Sequence, residues 1–413
     1  MSEGTNYIGQ PIFTQTTSLI DKSLIENVCK EFKSNKFSKS LTFQDHLTTM
    51  LYCVFTGCNT LREVQTGLEL CNGKLNHLNL KKVPARSTLS DGNKKRKSIV
   101  FGALYHKLFE KYKYIISDSK YSSRFSDKLY ILDSTTISLF KAILKPAGRK
   151  RSDGKSKGGL KAHTLLKADC NMPAFVKFTA SALHDQQFYE YIKELPNDSI
   201  IAFDKAYLNY EQFQKFTERG ITYVIPQKDN AIYKSIQELS YLESEPEIVK
   251  DELIEVEYNE KGSNATKIHT LRRIAYYSKK HNEVFVYITN NLEMTAMEIV
   301  GIYQNRWQIE SFFKKLKQNF NLTCFLGDNV NAVEIQIWCT LIGYLLLQVI
   351  YAEHKTTIAF SILCAIVSLH LMNYTSLADI ITMHKQKRKR KKKEQPIKTK
   401  TNAPPPIQQT LPF

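Results

Sequence analysis

Two apolar runs in this sequence each close on an acid, Leu129-Tyr-Ile-Leu-Asp133 and Ser199-Ile-Ile-Ala-Phe-Asp204. An apolar strand ending in a carboxylate carries that acid to the carboxyl edge of a sheet, where open α/β folds keep their sites. One such aspartate alone reads as a turn cap. Two on neighbouring strands would set hard oxygen ligands side by side. A third carboxylate follows 106 residues after Asp204, within Tyr303-Gln-Asn-Arg306-Trp-Gln-Ile-Glu310-Ser-Phe-Phe-Lys-Lys-Leu-Lys317. At roughly 100° per residue, Tyr303, Arg306, Glu310 and Lys317 fall within about 60° of one helical stripe. Ile302, Ile309, Phe312, Phe313 and Leu316 gather on another side. One face can therefore pack on a sheet while Glu310, flanked by cations, looks into a site. On helical geometry alone, an Arg306–Glu310 surface ion pair, which contributes little, is the better account.

The spacing Y-(2)-R-(3)-E-(6)-K, with Trp307 directly after the arginine, resembles the YREK signature of DDE transposases in the insertion-sequence-four family. Leu132-Asp-Ser-Thr-Thr136 resembles that family's first catalytic acid, and Ile201-Ala-Phe-Asp-Lys-Ala-Tyr207 its second. Ala206 stands where family members usually carry glycine, a departure that matters if the turn takes positive φ. The resemblance spans about residues 125–350. It implies a ribonuclease H-like core, interrupted by a β-rich insertion ahead of the glutamate helix. It also implies that Asp133, Asp204 and Glu310 are catalytic and bind metal, two Mg2+ or Mn2+ ions per site and about 4 Å apart. Water would free a 3′-OH at the element's end, and that hydroxyl would attack target DNA. Tyr303, Arg306 and Lys317 would hold phosphate near the cut, and Trp307 would stack on a displaced base. The implied partners are double-stranded DNA, as terminal inverted repeats and target, and a second copy of the chain in a synaptic dimer. Two rivals share these residues: a metal-dependent DNA nuclease of the same fold, and a non-catalytic DNA-binding relic.

The elements that would position the acids can be read from periodicity. Residues 1–120 look helical, with apolar residues at helical spacing through 18–32, 43–55 and 99–112. Between them, Pro84 ends one element, and Ser87 or Thr88 can cap a short basic one containing Arg86, Lys94 and Lys95. That segment reads equally as a helix-turn-helix-like DNA reader or as a solvated loop. From residue 128 the texture turns to strands. Residues 160–168 and 173–180 form a hairpin about Asp169-Cys-Asn171, 184–195 a helix, and 211–219 a helix stopped by Gly220 before a strand at 221–225. The order β-β-β-α-β-α-β describes a mixed α/β layer. Residues 227–285 read as a small β-rich insertion, and Thr295 with Glu298 makes a capping box. The expected class is α/β: a ribonuclease H-like mixed sheet with a β-rich insertion, preceded by a helical N-terminal DNA-binding domain. The expected divisions are 1–120, 125–226, 227–285, 286–383 and a disordered basic tail at 384–413.

Composition narrows the partners. The formal net charge of +18 favours an anionic one, nucleic acid first. Residues 384–400 hold ten Lys/Arg against one acid, half of that total, and the rest is densest at 81–97 and 141–161. The second cluster, rich in glycine, reads as a basic loop over DNA or merely a solvated one. The tail adds salt-sensitive, non-specific DNA affinity. None of the eight cysteines forms a Cys-x-x-Cys pair, so reduced core thiols are expected rather than a zinc site. Without a signal-peptide pattern at the N-terminus, the expectation is a bacterial cytoplasmic, nucleoid-associated protein. The uncharged run at 335–352 is long enough to span a bilayer, yet its Gln336, Thr340 and Gln348 fit a packed core helix better, so no membrane partner is expected. His163 and His184 read as hydrogen-bonded structural residues.

Overall fold

The computed structural model describes residues 9–117, 125–138, 148–149, 157–180, 195–239, 245–260, 266–354 and 358–394, together with Tyr189 and apart from positions 37, 39, 72 and 323. Its frame is a mixed sheet. Strands β1 (Leu129–Ser138), β3 (Lys157–Lys167) and β4 (Met172–Ala180) lie antiparallel in the order β4-β3-β1, with the short β2 (Gly148–Arg149) on the start of β3. Beyond β1, strands β5 (Ile200–Phe203) and β6 (Thr222–Pro226) add in parallel. Three antiparallel strands followed by two parallel ones is the ribonuclease H-like arrangement. Parallel strands need a crossover, supplied by α7 (Tyr210–Glu218), which Asn209 caps and Gly220 ends at φ +68. The β3–β4 turn falls at the expected place, with Asn171 at φ 51.

Side chains alternate across the sheet as the strand repeat of two requires. Ile131, Ile200, Ala202 and Val224 join one core cluster with the helices. Leu132, Ile201, Phe203, Tyr223 and Ile225 join the other, covered by Phe213 and Phe216 of α7.

The described residues of 227–285 are mostly strands, and these extend the sheet. β10 (Glu283–Thr289) pairs antiparallel with β6, and β9 (Thr266–Ser278), β8 (Ile248–Asn259) and β7 (Lys234–Glu238) add outward from it. The open ladder of β6 is thereby satisfied, and the sheet's edge moves out to β7.

The glutamate segment departs from one continuous helix. The Thr295–Glu298 capping box forms and starts α8 (Ala296–Gln304), but α9 (Trp307–Asn319) begins only after a turn at Asn305 and Arg306. The Asn305 side chain donates to the Gly301 carbonyl and accepts from Gln308. Such local bonds compete with the regular ladder.

Helices α1 (Ile12–Thr17), α2 (Lys22–Glu31), α3 (Phe43–Thr56), α4 (Leu61–Glu69), α5 (Arg86–Lys95) and α6 (Ile99–Ile116) share one core with α10 (Val330–Glu353) and α11 (Phe360–Leu369). α10 is apolar on all sides, which demands burial, and 89% of its most apolar 18-residue window is buried. It approaches α6 so closely that a Cβ at Gly102 would meet Trp338 at 2.9 Å. Residues 70–85 separate α4 from α5, against a turn of about three or four residues in a helix-turn-helix. Only residues 96–98 separate α5 from α6, and Ala85 rather than Ser87 or Thr88 is the N-cap of α5.

The expectation of disorder from residue 384 also needs correction: α12 (Leu377–Glu394) carries the Lys/Arg run as helix. Lys and Arg are good helix formers, and no proline intervenes before Pro396. The rest of the tail, nearly all of 184–195 including His184, and most of 141–161 lie outside the described residues.

Candidate active site at the carboxyl edge of the sheet

The parallel register of β1 and β5 sets Leu132 opposite Phe203. The next residue on each strand is an aspartate, so Asp133 and Asp204 leave adjacent strands at one level, about a strand spacing of 5 Å apart. Ile131 and Ala202 belong to the helix-covered face. Two residues on, alternation turns both acids toward that same face, where α9 packs on β1.

From α9 comes the third acid, with an arginine. The Arg306 Nη2 lies 2.8 Å from Glu310 Oε1, and its Nη1 lies 3.8 Å from Asp133 Oδ2. One guanidinium thus spans both carboxylates. Its carbon sits 5.7 Å from the Tyr303 ring centroid and 5.6 Å from that of Trp307, and its buried Nε has no hydrogen-bond partner. Tyr303 leans in turn on Tyr287, with ring centroids 4.7 Å apart. The turn at Asn305–Arg306 therefore places the arginine between helices, among two rings and two acids.

The electrostatics follow the crowding. Burial pushes the Asp133 carboxyl up to about 6, against the Ser134 amide that donates to its Oδ1 at 2.7 Å and against Arg306, while Asp204 and Glu310 push it further. Burial likewise raises the Tyr303 hydroxyl to about 12. Asp204 accepts the Ala206 amide at 3.1 Å and caps a single 3-10 turn, Lys205–Tyr207. That turn is right-handed, so Ala206 sits there without strain and the usual glycine is not required. Beneath it, buried His163 contacts the Tyr207 hydroxyl at 3.3 Å and Thr179 Oγ1 at 2.8 Å, a hydrogen-bonded structural histidine.

The remaining sequence-derived candidates divide. Trp307 opens α9 and is 61% exposed, and Lys317 lies exposed two turns beyond Glu310. Arg86, Lys94 and Lys95 are exposed on α5. Lys94 is 3.8 Å from Asp328 in the loop after α9, and Lys95 is 3.0 Å from Asp91. α5 packs against α4 and α10, and its lysines pair with Asp328 and Asp91 rather than with the three acids. Sequence reasoning missed Arg272, whose guanidinium grips Asp251 at 2.9 and 2.6 Å and donates to the Met294 carbonyl at 2.6 Å just ahead of α8. Its only signal was an Arg-Arg pair inside the apolar β9.

In kind, three carboxylates fit a hard divalent cation. Among the described residues, however, no three His, Cys, Asp or Glu side chains stand close enough to hold a metal ion. What lies between Asp133 and Glu310 is Arg306.

Residues 124–346 match the Transposase DDE domain, a domain that works with divalent metal in general. Residues 8–81 match a Domain of unknown function (DUF4372). The chain is 28% identical over 57% of its length to a probable transposase for an insertion sequence element of Geobacillus stearothermophilus, and spans 59% of that relative. It is 27% identical to a putative transposase of Sinorhizobium fredii and 24% identical to a putative insertion-sequence transposase of Synechocystis, over 66% of this chain and 74% of each relative. A solved piggyBac transposase synaptic complex with hairpin DNA aligns over 94% of this chain and 82% of that one at 11% identity, and its TM-score of 0.40 is too low to carry any reading of this chain. With more than half its length matching the domain, and the sheet in ribonuclease H-like order, the chain belongs to the DDE transposases.

Proposed function

We propose that this chain is the transposase of an insertion sequence, cutting its element's ends and joining them to target DNA. The observation that carries the proposal is convergence. Register and alternation bring Asp133 and Asp204 to one point of the sheet edge, and a shared guanidinium ties Asp133 to Glu310. Tyr303, Arg306, Glu310 and Lys317 are the signature residues that align the chain with the insertion-sequence-four group.

Asp133, Asp204 and Glu310 would hold Mg2+ or Mn2+, two ions per site, which when bound supply Lewis-acid stabilisation to the attacking and leaving oxygens of an in-line displacement. The chain's own groups grip the DNA. Arg306 and Lys317 offer charge-assisted donors to the phosphate beside the scissile bond, and Tyr303 offers its hydroxyl. Trp307 offers an exposed ring to an unstacked base. The basic face of α5, with Arg86, Lys94 and Lys95, takes duplex backbone at a distance from the cut. Two protomers, each holding one end, make the synaptic unit. A non-catalytic relic gains nothing from Ala206, since the turn there is right-handed.

The test is Glu310→Gln on DNA carrying the element's own terminal repeats, in Mg2+. End binding should persist while cleavage falls about a thousandfold or more, some 4 kcal/mol in barrier. Cleavage at the wild-type rate overturns the assignment. Wild-type protein that nicks ends and never joins them identifies a nuclease instead.

A further inference from the structure

Arg306 is held by halves. One nitrogen reaches Glu310 at 2.8 Å, another stands 3.8 Å from Asp133, and the buried Nε has no partner. A guanidinium carries five donors in a rigid fork suited to bidentate carboxylate or phosphate, and here that fork closes on neither acid. Arg272 shows the closed alternative in the same molecule, with two short bonds to one carboxylate. The Arg306 side chain is nonetheless 11% exposed, with its guanidinium carbon 5.7 and 5.6 Å from the ring centroids of Tyr303 and Trp307. The rings lie against the guanidinium, and its Nε stays without a partner.

A cation in that position conflicts with another. An arginine and a divalent ion cannot both occupy the space between Asp133 and Glu310, because each would face the other's charge at contact distance. We propose that Arg306 stands in for the divalent cation in the DNA-free protein, and that an arriving DNA phosphate draws it off, so that metal loading follows DNA binding. This rests on the reading of Asp133, Asp204 and Glu310 as the metal-holding set. A phosphate offers what the present partners do not: two oxygens matched to the fork, one of them for Nε. The arginine gains a full complement of bonds as the two acids become free for the metal. Order of binding then guards against hydrolysis by a metal-loaded enzyme with no end in place.

The measurement is Mn2+ binding by the full chain, read from the electron paramagnetic resonance of free Mn2+. Wild type, Arg306→Gln and Arg306→Lys are compared with and without a short DNA duplex, whose own Mn2+ uptake is subtracted. Without DNA, Arg306→Gln should bind Mn2+ at least about tenfold more tightly than wild type, and Arg306→Lys, which keeps the charge, should stay near wild type. The duplex should tighten wild type by a similar factor and leave Arg306→Gln within about twofold. Equal DNA-free affinities for wild type and Arg306→Gln overturn the proposal while leaving the active-site reading intact. Failure of both to take up Mn2+, with or without duplex, overturns the two together. The duplex arm needs only the wild-type chain, so an unfolded Arg306→Gln leaves it standing: no gain in wild-type affinity with DNA overturns the coupling.

Discussion

Arg272 and Arg306 both face buried or half-buried carboxylates, and they are built for opposite ends. Arg272 closes a two-bond fork on Asp251, itself wholly buried, and spends its third contact on the Met294 carbonyl. The pair ties β8 and β9 to the segment that launches α8. Arg306 spreads one guanidinium over two acids and leaves a donor unpaired. A closed pair resists exchange, because removing either partner strands a buried charge. An open one invites it. Two acids share that one arginine and Asp204 adds its charge beside Asp133, an arrangement that helps function more than folding.

The sharpest way to break this contrast is to neutralise each acid and follow two readouts. Asp133→Asn and Asp204→Asn should each cut end cleavage about a thousandfold or more, while the midpoint of urea unfolding stays level or rises, since each removes a like charge from the cluster. A large loss of stability with either variant would make the acids structural and erase the distinction. Next in size comes the closed pair. Asp251→Ala should cost about 3–5 kcal/mol in urea unfolding by leaving Arg272 buried and alone. Glu310→Ala, which removes a 38% exposed carboxylate and leaves Arg306 its second acid, Asp133, should cost less, about 1 kcal/mol. Equal costs would mean that the two arginines do the same job.

How far these sites were legible follows from the range of the interactions involved. Asp133 and Asp204 could be placed because a strand's repeat of two is local, and the acids simply continue Ile131 and Ala202 on their face. The Thr295–Glu298 capping box is legible for the same reason. Arg272 and Asp251 are 21 residues apart in sequence and meet only through the β8–β9 register, which no local pattern specifies. The turn at Asn305–Arg306 was equally hidden, because asparagine is only mildly unfavourable in a helix and what breaks the ladder is its particular bonds to Gly301 and Gln308. The strands within 227–285 were legible as an insertion ahead of the glutamate helix, but sequence does not show which edge of the sheet they join. In α12, composition suggested disorder where helix propensity prevailed.

A third arginine sharpens the comparison at smaller scale. Arg96 faces neutral acceptors: the Leu41 carbonyl at 2.8 Å, Ser38 Oγ at 3.0 Å and His46 Nδ1 at 2.9 Å. Accepting at Nδ1, His46 must carry its proton on Nε2, which donates to Asn93 Oδ1 at 2.8 Å. Burial, then Arg96, pushes His46 down to about 3, with the Asn93 bond opposing. The unfolded chain therefore takes up a proton near pH 6.5 that the folded one refuses until about pH 3. Stability is complete above the unfolded value and lost as pH falls through that window, by about 2 kcal/mol at pH 5. His46→Gln keeps a donor and an acceptor without titrating, and its unfolding midpoint should change less between pH 7 and pH 5 than that of wild type. Parallel slopes would show that His46 is already charged, and that Arg96 is held by something else.

The smallest effect belongs to the cations that lie outside any buried pair. Lys94 reaches Asp328 at 3.8 Å and Lys95 reaches Asp91 at 3.0 Å, both through solvent-exposed side chains. Exposed pairs of this kind contribute between nothing and about 1 kcal/mol, so neither lysine is committed to the fold as Arg272 or Arg96 is. If α5 lies along duplex backbone, each lysine that neutralises a phosphate contributes a slope of about −0.9 to the dependence of log affinity on log salt. Lys94→Ala with Lys95→Ala should therefore flatten that slope by nearly two and weaken binding to all duplexes alike, with melting temperature unchanged. An unchanged slope would move the basic face of α5 off the DNA and leave the acids, Arg306 and the residues around it to make the protein's hold on nucleic acid without its help.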